Sequence, residues 1–187
     1  MRGLLQCDNP CVDELEILFS GMQIGEKVAE LAARIDRDFP EQADAPPLWL
    51  IGALKGAFVF TADLARAIRR ECRVDFVEAK SYGQGTEPSS KPRILREPEV
   101  DLTGCDVLLV EDILDTGRTS ERLLALLASK RPRTLRLVVL LDKPSRRKAN
   151  VRADYAGFEI PDRFVVGYGL DYAERWRDLP DIRAKRA

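Results

Sequence analysis

The strongest constraint on the fold is a recurring unit, a short apolar run bounded by breakers and followed by a stretch with helical spacing. LWLIGAL (48–54), DVLLV (106–110) and LRLVVLL (135–141) are such runs. They read as strands buried on both faces. RFVVGYGL (163–170) reads as a fourth. The stretches between them carry apolar residues three or four apart: Val28, Leu31, Ala32 and Ile35 within 24–39, Phe58, Ala62, Leu64, Ala65 and Ile68 within 55–70, and Leu123, Leu124 and Leu127 within 119–130. Strand and helix in alternation, with apolar strands, predict an α/β domain whose parallel twisted sheet is covered by helices. VDFVEAKSY (74–82) reads as a further strand, and GQGTEPSSKP (83–92) as a long polar loop of the kind that often serves as a lid.

A chain of 187 residues suits one such domain. The expected boundaries are a core over about 45–160 and a small lobe built from about 1–40 and 160–187. No apolar run approaches the roughly 18 residues of a membrane span. The opening MRGLLQCDNP lacks a signal peptide's apolar core, so a cytoplasmic location without membrane contact is expected. Thirty basic against 31 acidic residues give a net charge of -1, which disfavours a general nucleic-acid binder. Histidine is absent, which excludes a Ser-His-Asp triad and every His-ligated zinc site. Cys7, Cys11, Cys72 and Cys105 do not form two CxxC pairs and read as free thiols.

The chemistry concentrates in VLLVEDILDTGRTS (107–120). A buried strand ends in Glu111 and Asp112, and Asp115-Thr116-Gly117-Arg118-Thr119 leads into a helix. Ligands of parallel α/β sheets sit beyond the carboxyl ends of the strands. A glycine- and hydroxyl-bearing loop at a helix N-terminus suits an anion, with Thr116, Thr119 and Ser120 as added donors. The GxxxxGK[ST] and GxGxxG patterns are absent from this loop. Carboxylates do not bind phosphate, but they accept from sugar hydroxyls or help hold Mg²⁺. Phosphate, diol and magnesium together describe a phosphorylated ribose.

This segment resembles the signature of the phosphoribosyltransferases, and the match is closest to their hypoxanthine-guanine branch. GALKGAFVFTADLARAI (52–68), VDFVEAKSYG (74–83), LLDKPSRR (140–147) and DYAGFEIPDRFVVGYGLDYAERWRDLP (154–180) extend the resemblance over nearly all of the chain after about residue 15. It implies the type I phosphoribosyltransferase fold with a hood lobe, and Mg-dependent transfer of a phosphoribosyl group from phosphoribosyl pyrophosphate to hypoxanthine or guanine in purine salvage. By position it implies that Asp115 handles the proton on purine N7 and that Glu111 and Asp112 lie at the ribose hydroxyls. Residues 115–119 would wrap the 5′-phosphate. Leu54, Lys55 and Gly56 would form the pyrophosphate loop, whose Leu–Lys peptide is typically cis. Lys143 would contact the 6-oxo group, Phe164 would stack on the base and Val165 would read its edge through the backbone. Arg177 would meet pyrophosphate, and Glu111, Asp112 and Asp171 are the magnesium-linked carboxylates. Ser81 and Tyr82 would open the closing loop, and the implied assembly is a homodimer or homotetramer. The remaining basic residues near Lys143, namely Arg146, Arg147, Lys148 and Arg152, read as a solvated face. An alternative is a nucleotide-sensing regulator on the same fold that binds nucleic acid. Such proteins usually carry a non-acidic residue where this chain has Asp115.

Overall fold

The structure, a computed structural model, describes residues 15–41, 45–80 and 92–185. Its elements are β1 (Leu15–Phe19), α1 (Gly21–Asp38), β2 (Leu48–Leu54), α2 (Phe58–Ala67), β3 (Cys72–Lys80), β4 (Arg93–Arg96), β5 (Asp106–Leu114), α3 (Arg118–Ser129), β6 (Thr134–Asp142), β7 (Tyr155–Glu159), β8 (Val165–Val166) and β9 (Ile182–Lys185). A short 3-10 turn, Pro144–Arg146, follows β6. Six strands form the main sheet in the order β4-β3-β2-β5-β6-β7. All neighbours in it are parallel except the edge pair β3–β4. A second sheet, β1-β9-β8, is antiparallel.

Strand alternation divides the core in two. Leu108 and Val110 of β5 pack on one side with Leu31 and Ile35 of α1 and Phe60 and Leu64 of α2. Val107 and Leu109 pack on the other with Leu123 and Leu127 of α3. This follows from the period of two along a strand, which sends neighbouring side chains to opposite faces. Ser20 starts α1 with a capping box. Its hydroxyl accepts from Gln23 N at 3.3 Å, while Gln23 Oε1 accepts from Ser20 N at 2.9 Å. On β7, Tyr155 Oη donates to Asp38 at 2.6 Å, and Arg136 of β6 donates to both Asp38 and Tyr155, which ties the end of α1 to the sheet.

Two expectations are corrected. Residues 1–40 were assigned to the terminal lobe, but the apolar stripe of α1 is buried against the main sheet, so among the described N-terminal residues only β1 joins the small sheet. The run 163–170 is not a strand of the main sheet. Only Val165–Val166 is extended, and it pairs with β9. Gly167 (φ 95°), Tyr168 (φ 51°) and Gly169 (φ 99°) turn the chain immediately afterwards. The strand after β6 is instead β7, and Gly157 is required there because a Cβ would lie 2.5 Å from the Leu140 carbonyl oxygen. The lone antiparallel member, β4, lies at the edge of an otherwise parallel sheet, as the expected α/β class allows. Cys72 and Cys105 are free, and Cys7 and Cys11 lie outside the described residues. Among the described residues no helix is long and apolar enough to cross a membrane.

Candidate functional site

The carboxyl ends of β2 and β5 bring the first group of residues together. Chain packing at this corner is tight enough to demand glycine twice. A Cβ on Gly56 would lie 1.7 Å from Asp112 Oδ2, and a Cβ on Gly169 would lie 2.3 Å from the Gly56 carbonyl oxygen. The loop after β2 is thus wedged between the Asp112 carboxylate and the turn at Gly169. The Leu54–Lys55 peptide in it is cis, as the resemblance implied. Arg177 secures the turn, donating through Nη1 to the Gly169 carbonyl at 2.8 Å and pairing through Nη2 with Asp171 Oδ1 at 2.8 Å. Asp171 Oδ2 accepts from Glu174 N at 2.8 Å. Glu174 reaches both Lys55 Nζ (3.2 Å) and Arg177 Nη2 (3.1 Å).

Leu54, Lys55, Gly56, Asp112, Asp171 and Arg177 therefore share one neighbourhood. Burial pushes the Asp112 carboxyl up to about 6; the Ile113 amide and Arg177 oppose that rise, and Asp171 adds to it. Glu111 does not join them. Being adjacent on β5, it faces the α3 side, where its Oε2 accepts from Ser120 Oγ at 2.8 Å. Its Oε1 is buried and has no partner. Burial pushes Glu111 up to about 8, with Asp112 adding to the rise and Ser120 and Arg147 opposing it. The expected pairing of Glu111 with Asp112 and Asp171 around a metal is corrected accordingly. Among the described residues no three carboxylate or thiol groups converge on one point. Two carboxylates beside a polyanion site still fit magnesium, which is commonly held by one or two carboxylates plus substrate phosphates.

The second group follows β5. Gly117, at φ 80°, caps α3, and the first turn of that helix leaves N–H groups without intrahelical acceptors. Asp115 opens this loop, partly exposed, with Oδ1 3.2 Å from Arg146 Nε. Thr116 is partly exposed, Arg118 exposed and Thr119 partly exposed at the same mouth.

The third group borders the segment 162–165. Lys143 is buried and donates through Nζ to the Arg163 carbonyl at 2.6 Å, while its own N–H donates to the Leu114 carbonyl at 3.0 Å. It thereby connects the loop after β5 to the segment that carries Phe164 and leads into β8. Phe164 is 58% exposed, and the Tyr172 ring stands nearly perpendicular to it at a centroid distance of 5.6 Å. An exposed aromatic ring can stack on a planar ligand. Val165 is buried in β8. Ser81 and Tyr82 lie outside the described residues.

Three participants were not legible beforehand. Arg146 is exposed, as expected, and it also bridges Asp115 (3.2 Å) and Asp162 (3.4 Å). Arg147 was read as solvated and is instead largely buried, donating to the Leu114 carbonyl at 2.9 Å, to the Asp115 carbonyl and to Asp142. That correction has a simple cause: a run of basic residues has one spacing whether it faces water or a loop. Glu174 had a weak signal, its place three residues from both Asp171 and Arg177.

Comparison with known proteins agrees with this geometry. The family described as "Phosphoribosyl transferase domain" matches residues 14–173. The chain is 44% identical over 167 residues to the hypoxanthine-guanine phosphoribosyltransferase of Bacillus subtilis (strain 168), covering 89% of this chain and 91% of that protein. It is 42% identical over 168 residues to the hypoxanthine phosphoribosyltransferase of Escherichia coli (strain K12), covering 90% and 93%. Among solved structures it is similar to a hypoxanthine-guanine phosphoribosyltransferase from Bacillus anthracis, with TM-score 0.84, 45% identity and coverage of 92% and 98%. It is also similar to the Trypanosoma cruzi hypoxanthine phosphoribosyltransferase in complex with the product IMP, with TM-score 0.85, 38% identity and coverage of 95% and 98%.

Proposed function

The chain belongs to the phosphoribosyl transferase family, and on that premise we propose that it transfers the 5-phosphoribosyl group from phosphoribosyl pyrophosphate to hypoxanthine or guanine, giving IMP or GMP and pyrophosphate. The supporting observation is the convergence of Lys55, Asp112, Asp171 and Arg177 at one corner, with the Asp115–Thr119 loop after β5 and the exposed ring of Phe164 next to Arg163, whose carbonyl Lys143 binds beyond β6.

In the reaction a bond forms between the purine nitrogen and C1 of ribose as the C1–O bond to pyrophosphate breaks. Positive charge builds on the sugar, as in glycoside cleavage. The loop at the start of α3 holds the 5′-phosphate through N–H groups and hydroxyls. Asp112 accepts from a ribose hydroxyl. Lys55 and Arg177, now on Glu174, are the cations that the departing pyrophosphate would take up. The base stacks on Phe164, with Lys143 toward its 6-oxo group and the backbone of Val165 along its edge. The N7 proton passes to Asp115, and the electron pair it leaves behind makes the attacking ring nitrogen nucleophilic. Asp112 and Asp171 are the carboxylates that would hold Mg²⁺, which when bound neutralises pyrophosphate charge. Ser81 and Tyr82 belong to the loop proposed to exclude water. We further propose a cytoplasmic enzyme working in purine salvage as a homodimer or homotetramer, with one domain over 1–187. The regulator alternative finds no support among the relatives, and Asp115 is the acid it would lack.

The test is a panel of hypoxanthine, guanine, xanthine, adenine and uracil with Mg²⁺ and phosphoribosyl pyrophosphate, followed by nucleotide formation. Turnover of 6-oxopurines should fall about 100-fold or more in Asp115→Asn, the lower end of the usual worth of a general base. No turnover with any base would reject the proposal.

A further inference from the structure

We infer that Arg147 is a positioning residue for the phosphate loop. It holds the loop's carbonyl oxygens on the side away from the ligand, so that the N–H groups face the 5′-phosphate. The inference rests on the phosphate-binding role proposed above for residues 115–119.

Four successive carbonyls of this loop are satisfied from behind or from the helix that follows. Leu114 O accepts from Lys143 N (3.0 Å) and Arg147 Nη1 (2.9 Å), and Asp115 O accepts from the same Nη1. Thr116 O accepts from Lys148 N (2.9 Å) and Ala149 N (3.0 Å), and Gly117 O from Glu121 N (2.9 Å). Across a trans peptide the C=O and the following N–H point in opposite directions. With the oxygens of 114–116 fixed toward residues 143–149, the N–H groups of Asp115, Thr116 and Gly117 are turned the other way. An anion on that side meets donors, and it is spared the repulsion of a carbonyl that has rotated in.

Only arginine suits the place. One nitrogen spans two adjacent carbonyls while Nη2 of the same rigid fork takes Asp142. The side chain is 17% exposed and runs beneath the loop, where a Cβ on Gly117 would lie 3.1 Å from Arg147 Cδ. Asp142 offsets its charge. Its chief effect is therefore geometric, unlike that of a cation placed against the phosphate.

The experiment compares wild type, Arg147→Met, Arg147→Lys and Asp142→Asn. Wild-type turnover is measured first, because its absence would count against the enzymatic proposal itself. In Arg147→Met the KM for phosphoribosyl pyrophosphate should rise about tenfold or more, with the KM for the base and kcat within about threefold. Arg147→Lys should recover part of the loss. An unchanged KM for phosphoribosyl pyrophosphate, or both KM values rising together, would overturn the inference. Should Arg147→Met not fold, Asp142→Asn decides, since it exchanges the charge-assisted bond at one end of the fork for a weaker neutral one while keeping the guanidinium. A smaller rise confined to the same KM supports the role, and no such rise ends it. Were wild type inactive with every base, calorimetric titration of magnesium phosphoribosyl pyrophosphate into wild type and the variants would still decide. Equal affinities, or no binding to wild type, would overturn the role of Arg147.

Discussion

Gly56→Ala places a methyl group where the Asp112 carboxylate already is. The new Cβ would lie 1.7 Å from Oδ2 and 2.6 Å from Cγ. Relief requires the carboxylate to retreat by roughly 1 Å or more, and a misplacement of that size in a catalytic constellation costs on the order of 100-fold in rate. Retreat is not free, because Oδ1 accepts the Ile113 N–H at 2.9 Å, a bond with a net worth of about 1 kcal/mol. The backbone cannot yield instead, since the Gly56 carbonyl is already pressed against Gly169. Overpacking of this kind costs about 1–3 kcal/mol, which in a chain of this size lowers Tm by roughly 2–4 °C per kcal/mol. Steady-state assays at 25 °C, well below the melting transition, should therefore show kcat/KM down about 100-fold in a protein that is still folded. Gly25→Ala is the control. It lies in α1 with nothing within 4 Å of its added Cβ, and alanine in a helix interior should add about 0.5–1 kcal/mol of stability with activity unchanged. Activity of Gly56→Ala within threefold of wild type would refute the placement of Asp112 beside Gly56 in the working enzyme.

The hydroxyl of Tyr155 is pushed up to about 12, first by burial and then by its hydrogen bond to Asp38, with Arg136 opposing. A folded-state value above the unfolded value of 10 favours the protonated phenol, so its contribution is complete below pH 10 and is lost as pH rises through 12. Tyr155→Phe should cost about 1 kcal/mol at neutral pH and flatten the decline of Tm between pH 10 and about 12, and a parallel decline in both proteins would contradict this. Chelation of magnesium should abolish turnover, and Asp171→Asn should raise the magnesium concentration for half-maximal rate about tenfold. Equal magnesium dependence of the two proteins would remove Asp171 from the proposed site.

Much of the main sheet was legible because its central strands are runs of Leu, Ile and Val flanked by breakers, and the observed β2 has the limits expected of LWLIGAL. The edges were not. The segment YAGFE carries too little apolar weight to signal the strand β7, and the stronger run RFVVGYGL is half turn because two glycines take left-handed geometry. The site divides similarly. Asp115, Lys55 and Arg177 could be named because the family resemblance runs through their segments. The separation of Glu111 from Asp112 follows from strand alternation, but it could be used only once β5 was known to run on through Leu114. Arg147 could not be told from its basic neighbours, because what distinguishes it is the direction of two carbonyls some thirty residues earlier in the chain.

The small sheet has a consequence for how the molecule is assembled in time. β9 lies between β1 and β8, and Leu15 is paired with Lys185, so this sheet closes nearly the longest loop the chain can make. Contacts of such sequence separation carry the greatest closure entropy and form late. During synthesis the phosphate loop and the segment behind it can dock as soon as β6 and its following turn emerge, whereas the strand beside Phe164 must wait for Ile182 and its neighbours. A chain halted before β9 would keep all six strands of the main sheet and yet leave β1 and β8 without their shared partner. The loop proposed to hold phosphate and the ring proposed to hold the base are thus separated in the order of folding as well as in space.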